Sequence, residues 1–255
     1  MSSWIWLDKN IYPQLCDNKR TDMFAISENG FCMAEFEREY TLDSEAVLQI
    51  CADARYELYI NEKLSGRGPA TPGADFLTKE MRWCYYDEYE IKDTSSVKIR
   101  VVVTSTATAM SQLTFGHPCL YAALVSNGKE IGGTDKSWRA RRLTERKGIY
   151  FTDYTERADE WSEPEILSVS RDMQRSRIDK LCAEDIYPAN FDKITVEPHK
   201  SVGVCLNFDK IYSAYPELSV KCNGPVRVSL ESGEIDGVVT YLLIANNVFS
   251  KQTYS

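Results

Sequence analysis

The chain has 255 residues with a formal charge of −8, 43% hydrophobic and 27% charged residues. Those proportions describe a folded globule and exclude a disordered or fibrous chain. The acidic balance argues against a nucleic-acid or anionic-membrane partner, both of which need a basic footprint. No apolar run is long enough for a membrane helix; the Val238–Ala245 stretch is far too short.

The opening MSSWIWLDKN has no basic segment leading into a long apolar run, so no secretory signal is expected. Strand patterning begins at Ala46-Val47-Leu48-Gln49-Ile50-Cys51, where Ala46, Leu48 and Ile50 share a face. In Arg55 to Asn61 the apolar face is Tyr56, Leu58 and Ile60, with Arg55 and Glu57 pointing away. Asn61-Glu62-Lys63 reads as a hairpin end, and Gly66-Arg67-Gly68-Pro69 as the start of an irregular connection. A short helical turn is expected near Asp75–Lys79. Trp83-Cys84-Tyr85-Tyr86-Asp87-Glu88-Tyr89 places Trp83, Tyr85, Asp87 and Tyr89 on one face and Tyr86 on the other. A cross-strand contact between Arg55 and Asp87 is expected if the register brings these segments together.

Val97, Ile99, Val101 and Val103 repeat the period of two, and Ser126-Asn127-Gly128-Lys129 is a second hairpin end. Patterning then weakens between Trp161 and Asn190, where a helix at 177–185 and an ordered connector are equally good readings. It resumes at Val202–Phe208, Leu218–Cys222 and Val226–Leu230. The expected fold is all-β: an antiparallel jelly-roll sandwich of galactose-binding type over 1–165, a connector over 166–190, and over 191–255 part of a second β-sandwich or strands completing the first.

Chemical signatures are few. Eight cysteines make no CxxC, and with two histidines they complete no zinc pattern, so neither metal nor cofactor is expected. Free thiols in strand-like runs, as at Cys51, Cys205 and Cys222, act as small hydrophobes and suit a reducing, cytoplasmic setting. His117 and His199 read as structural or solvent-facing. Asp87, Glu88 and Glu90 have the chemistry of an acid/base pair, but surface roles are the plainer reading in so acidic a chain. The aromatic strand is more informative. Trp83, Tyr85, Tyr86 and Asp87, with Arg67 nearby, are candidate contacts for a carbohydrate or for a neighbouring domain.

The segments Ile50–Asn61, Gly66–Ala70 and Tyr85–Tyr89 resemble the N-terminal β-region of bacterial α-L-rhamnosidases. Gly133–Arg139, Phe208-Asp209-Lys210 with Tyr215–Leu218, and Ser229–Glu234 resemble later family stretches in the same order. One departure is Lys210-Ile211, where the family usually has Leu-Gly. The resemblance implies a parent enzyme that hydrolyses terminal α-L-rhamnosyl bonds with two carboxylates held in a separate (α/α) barrel. No residue here matches that catalytic motif. The implied role is therefore an accessory, non-catalytic region that packs against a C-terminal catalytic module and borders substrate access, inactive alone. The rival readings are a free-standing carbohydrate-binding β-sandwich and a protein-interaction scaffold; rhamnose-containing glycans are candidate partners, and self-association along open strand edges is a liability.

Overall fold

The computed structural model describes residues 1–7, 31–53, 55–68, 83–92, 95–106, 118–144, 157–168, 171–177, 184–189, 193–210, 212, 220–221, 226–228, 247–249 and 253–254. Among these there is no helix, and so none long and apolar enough to cross a membrane. The strands are β1 (Ile5–Trp6), β2 (Phe31–Thr41), β3 (Ala46–Asp53), β4 (Arg55–Ile60), β5 (Lys63–Gly68) and β6 (Trp83–Ile91). There follow β7 (Ser96–Thr106), β8 (Cys119–Ser126), β9 (Lys129–Gly133), β10 (Arg139–Thr144), β11 (Arg157–Ala158), β12 (Glu165–Ile166) and β13 (Asp172–Arg175). The last four are β14 (Val220–Lys221), β15 (Val226–Val228), β16 (Asn247–Phe249) and β17 (Thr253–Tyr254).

Two sheets form a β-sandwich. One runs β12-β1-β8-β3-β6-β13, with β9 also paired to β8; the other runs β11-β10-β2-β7-β4-β5. Pairing within both is antiparallel except for β13, which lies parallel to β6. The period-two pattern explains the core. Val97, Ile99, Val101 and Val103 of β7 are fully buried, and they meet Leu48 and Ile50 of β3 and Leu120 and Leu124 of β8 in one cluster. Tyr56 and Leu58 join them, while Arg55 on the opposite face of β4 is exposed. Burying each such aliphatic side chain contributes about 1.5–3 kcal/mol, which fixes the register because a one-residue slip would expose the whole row.

Both expected hairpin ends are present. Asn61 and Glu62 take φ of 51° and 64° and join β4 to β5; Asn127 and Gly128 take 50° and 72° and join β8 to β9. Consecutive left-handed residues match the twist of a two-residue hairpin.

The segment Gly133–Trp138 works as a pin. The Trp138 indole N–H donates to Tyr40 Oη and to the Gly133 carbonyl, both at 2.9 Å. Thr134 exchanges backbone bonds with Ser3 and Ala122, tying the chain start to β8. Arg38 pairs with Asp135 at 2.9 Å, and the Ser137 amide donates to the same carboxylate oxygen at 2.8 Å. Burial pushes the Asp135 pKa up, but the Ser137 hydroxyl and amide and the Arg38 guanidinium outweigh it, leaving the group below its ordinary 3.8. A depressed carboxylate stabilises the fold above its unfolded value and loses that contribution as pH falls through the folded one. Urea midpoints measured downward from pH 4 should therefore drop more steeply for the wild type than for Asp135→Asn.

Later segments depart from expectation. Asp172–Arg175, inside the stretch expected to connect, forms β13 against β6. Val202–Phe208, expected as a strand, is exposed and among the described residues pairs with no strand; Val202 retains 55% of its accessible surface. Its alternation is that of a strand, but a pattern supplies only one half of a ladder. Cys205 is correspondingly exposed rather than buried. Val220–Lys221 and Val226–Val228 do pair, with β17 and β16. The expected turn at 75–79, most of the expected helix at 177–185, His117 and Cys222 lie outside the described residues.

Candidate functional site

The aromatic strand β6 lies between β3 and β13, with rungs Ile50↔Asp87 on one side and Gln174↔Tyr85 on the other. Alternation sends Asp87 and Tyr89 toward the opposite sheet. There the Tyr56 hydroxyl donates to Asp87 Oδ2 at 2.5 Å, and the hydroxyls of Tyr56 and Tyr89 lie 3.1 Å apart. Burial first, then the Asp87 charge, raises the Tyr56 pKa far above the usual range, so its proton stays on oxygen and serves the carboxylate. Space for this cluster comes from Gly68, where a Cβ would meet Asp87 Oδ2 and Tyr56 Oη.

The Asp87 bond is a charge-assisted link between sheets. Tyr56→Phe removes the donor while keeping the ring, and should lower the unfolding free energy by about 1.5–3 kcal/mol in urea titration. The expected Arg55–Asp87 cross-strand contact does not form, because β4 and β6 belong to different sheets. Arg55 stands on the outer face of its own sheet, and its chain neighbour Tyr56 takes the place beside Asp87.

The remaining candidates are distributed over three surfaces. Tyr85 is half-buried on the same side of β6 as Asp87. Tyr86 faces the other way and packs on a cluster of Trp4, Cys51, Cys84 and Cys119. Arg67 is on the outer face of the second sheet, paired with Glu57 at 3.1 Å. The Trp83 backbone pairs with Asp172, and its side chain is outside the described residues. Of the three neighbouring carboxylates, Asp87 points inward, Glu88 bonds Gln49 and Arg175 at 3.0 and 2.6 Å, and Glu90 pairs with Lys92 at 3.2 Å. They do not converge on one point, so no acid/base pair is assembled from them.

Two features escaped sequence reasoning. A cleft of about 930 Å³ opens at this corner, between the Ile60–Ser65 hairpin and Glu88–Lys92, with Arg175 on its rim. Its lining combines apolar Val47, Ile60 and Ile91 with polar Asn61, Lys63, Ser65 and Glu90. The second is a cap over the outer face of β3, β6 and β8. Arg171 reaches Asp53 at 3.2 Å, with side chains only 6% and 3% exposed, and its guanidinium lies 5.1 Å from the Trp4 ring centroid. Burial disfavours the Arg171 charge, but Cys119 and Asp53 outweigh it and hold the proton more firmly than usual.

This architecture matches part of two solved glycosidases. A GH78 family rhamnosidase of Bacillus sp. GL1 superposes over 74% of this chain with a TM-score of 0.55 and 20% identity. The native α-L-rhamnosidase of Aspergillus terreus superposes over 100% of it, with a TM-score of 0.55 and 17% identity. The chain shares a β-sandwich fold with part of each. It spans 21% of the Bacillus enzyme and 32% of the Aspergillus enzyme. No family model and no curated protein matches the sequence.

Proposed function

We propose that this chain is a non-catalytic β-sandwich that works beside a catalytic module of α-L-rhamnosidase type, packing against it and bordering the route of a rhamnose-containing substrate. The observation that carries this reading is the shared fold: the sandwich corresponds to a minor part of much larger rhamnosidases. Fold likeness identifies an architecture and leaves chemistry to specific residues. Here the described carboxylates of β6 are engaged in structural bonds rather than paired across a substrate site. The exposed apolar row Val202, Val204, Leu206 and Phe208 supports docking onto another module or self-association. The free thiols support a reducing, cytoplasmic setting.

The cleft beside β6 favours a second reading, a free-standing carbohydrate-binding module, because a lining that mixes apolar side chains with amide, hydroxyl and charged groups suits a hydroxylated ring. One measurement tests the absence of catalysis that both readings share, and a second separates them. The purified chain should show no turnover of an aryl α-L-rhamnoside above a buffer blank, and turnover that survives repurification overturns the accessory reading. In hydrogen exchange, an added rhamnosidase catalytic module should protect amides of Tyr85–Asp87, while free rhamnose changes them little. Protection by rhamnose alone reverses the order of the two readings.

A further inference from the structure

The two hairpin tips share a backbone and differ in chemistry. Asn61 and Asn127 each hold the first left-handed position of a two-residue turn, with φ of 51° and 50°, and both are exposed. Asn61 is tied down. Its Oδ1 accepts from the Lys98 amide at 2.9 Å, and its own amide donates to the Lys98 carbonyl at 2.9 Å. Its successor Glu62 pairs with Lys98 at 2.7 Å and with Arg100 at 3.1 Å. The Asn127 carboxamide, in contrast, has no hydrogen-bond partner among the described residues. Its successor is Gly128, where a Cβ would meet nothing within 4 Å. Asn207 and Asn247, the other described asparagines, precede Phe208 and Val248.

We propose that Asn127 is a site of spontaneous deamidation in the folded chain, passing through a cyclic imide to isoaspartate and aspartate. The attacking group is the Gly128 backbone nitrogen, which no side chain of its own residue shields. It bonds to Asn127 Cγ and loses its proton to solvent. The Cγ–Nδ2 bond breaks as that nitrogen takes up a proton and leaves as ammonia. Water then adds to one of the two imide carbonyls. Opening one C–N bond restores the normal chain with an aspartate; opening the other leaves the chain running through Cγ, as isoaspartate. The sum is one water in and one ammonia out.

The fold sets when this happens. Left-handed backbone has ψ of about +47°, which turns the Gly128 nitrogen away from the Asn127 side chain, so the ring closes only while the tip is open. Opening at Asn127 is local. β9 pairs with β8 alone among the described residues, and their register already shifts between Leu124 and Val125. Opening at Asn61 must also break both bonds to Lys98. Isoaspartate lengthens the backbone of a two-residue turn, and so disturbs the rung Ser126↔Lys129 and its neighbour Val125↔Glu130. Glu130 in turn holds the chain start, accepting from the Ser2 amide at 2.5 Å and pairing with the N-terminal ammonium at 3.1 Å.

The full chain, incubated in mildly alkaline buffer and digested with trypsin beside an unincubated control, tests this. Asn127 is the sole asparagine of tryptic peptide 101–129, and Asn61 that of peptide 56–63. Peptide 101–129 should gain the mass of an amide-to-acid exchange, with both isoaspartate and aspartate at position 127. The gain should be at least about tenfold faster than in 56–63, given the two additional hydrogen bonds that hold Asn61. Hydrogen exchange at Lys129 and Glu130 should quicken as the product accumulates. Deamidation of 101–129 in urea alone, or an equal rate in 56–63, or aspartate as the sole product, overturns the assignment; unchanged exchange at Lys129 and Glu130 overturns its effect on β9.

Discussion

Asp53→Ala is expected to lower the unfolding free energy by about 3–5 kcal/mol, the range for removing one partner of a buried ion pair. Asp53 is 3% exposed at its side chain and faces the Arg171 guanidinium at 3.2 Å. Without the carboxylate, a charge only 6% exposed remains among thiols and the Trp4 ring. The loss should exceed that from cutting the Arg67–Glu57 pair, whose side chains are 35% and 40% exposed and whose contribution solvent screening holds to about 0–1 kcal/mol. Urea denaturation of Asp53→Ala and Glu57→Ala side by side checks both values. Equal effects would mean that Arg171 finds water as readily as Arg67 does. A double replacement, Asp53→Leu with Arg171→Met, should recover much of the loss, because two apolar groups of similar volume leave no buried charge to compensate.

Trp138→Ala is expected to cost about 3–5 kcal/mol. The indole is buried between the sheets and packs edge-on against Tyr40, with ring centroids 6.3 Å apart. Its removal opens a cavity and also deprives the Gly133 carbonyl of one donor, leaving the Tyr40 hydroxyl at 2.9 Å and Arg38 at 3.3 Å. Trp138→Phe separates the contributions, since it refills much of the volume without an N–H. An intermediate loss is expected for it, read as a urea midpoint between those of wild type and Trp138→Ala. An effect equal to that of Trp138→Ala would assign the whole contribution to the hydrogen bonds.

The contrast between these two residues shows what sequence makes legible. Trp138 lies in a segment whose resemblance to a known family is visible, and two of its partners, Gly133 and Asp135, are five residues away or fewer, although Tyr40 is 98 away. The alternation in Val97–Val103 is equally local, because side-chain period and burial coincide in a sheet covered on one face. Asp53 and Arg171 are 118 residues apart, and no periodicity connects them. The cap was illegible for the same reason: Asp172-Met173-Gln174-Arg175 is polar, and its pairing with β6 is set by tertiary placement rather than propensity. At the candidate site, alternation separates Tyr86 from Asp87. What it lacks is sheet membership, which puts Arg67 and Asp87 on different layers and brings Tyr56 to the carboxylate.

The strand β1 has a consequence for the order of synthesis. Ile5 finds its strand partners at Leu120 and Ile166, and among the described residues β1 pairs only with β8 and β12. At about 5–20 residues per second, the ribosome delivers Ile166 roughly 10–30 s after Ile5. Until β8 emerges Trp4 and Trp6 wait without their sheet, and the three outer thiols lack their cap until residues 167–173 emerge. Long-range pairing of this kind also slows closure of the finished chain. The nascent protein is therefore most exposed to aggregation and to oxidants before its cap is made, and a ribosome stall just upstream of β12 should expose that vulnerability most clearly.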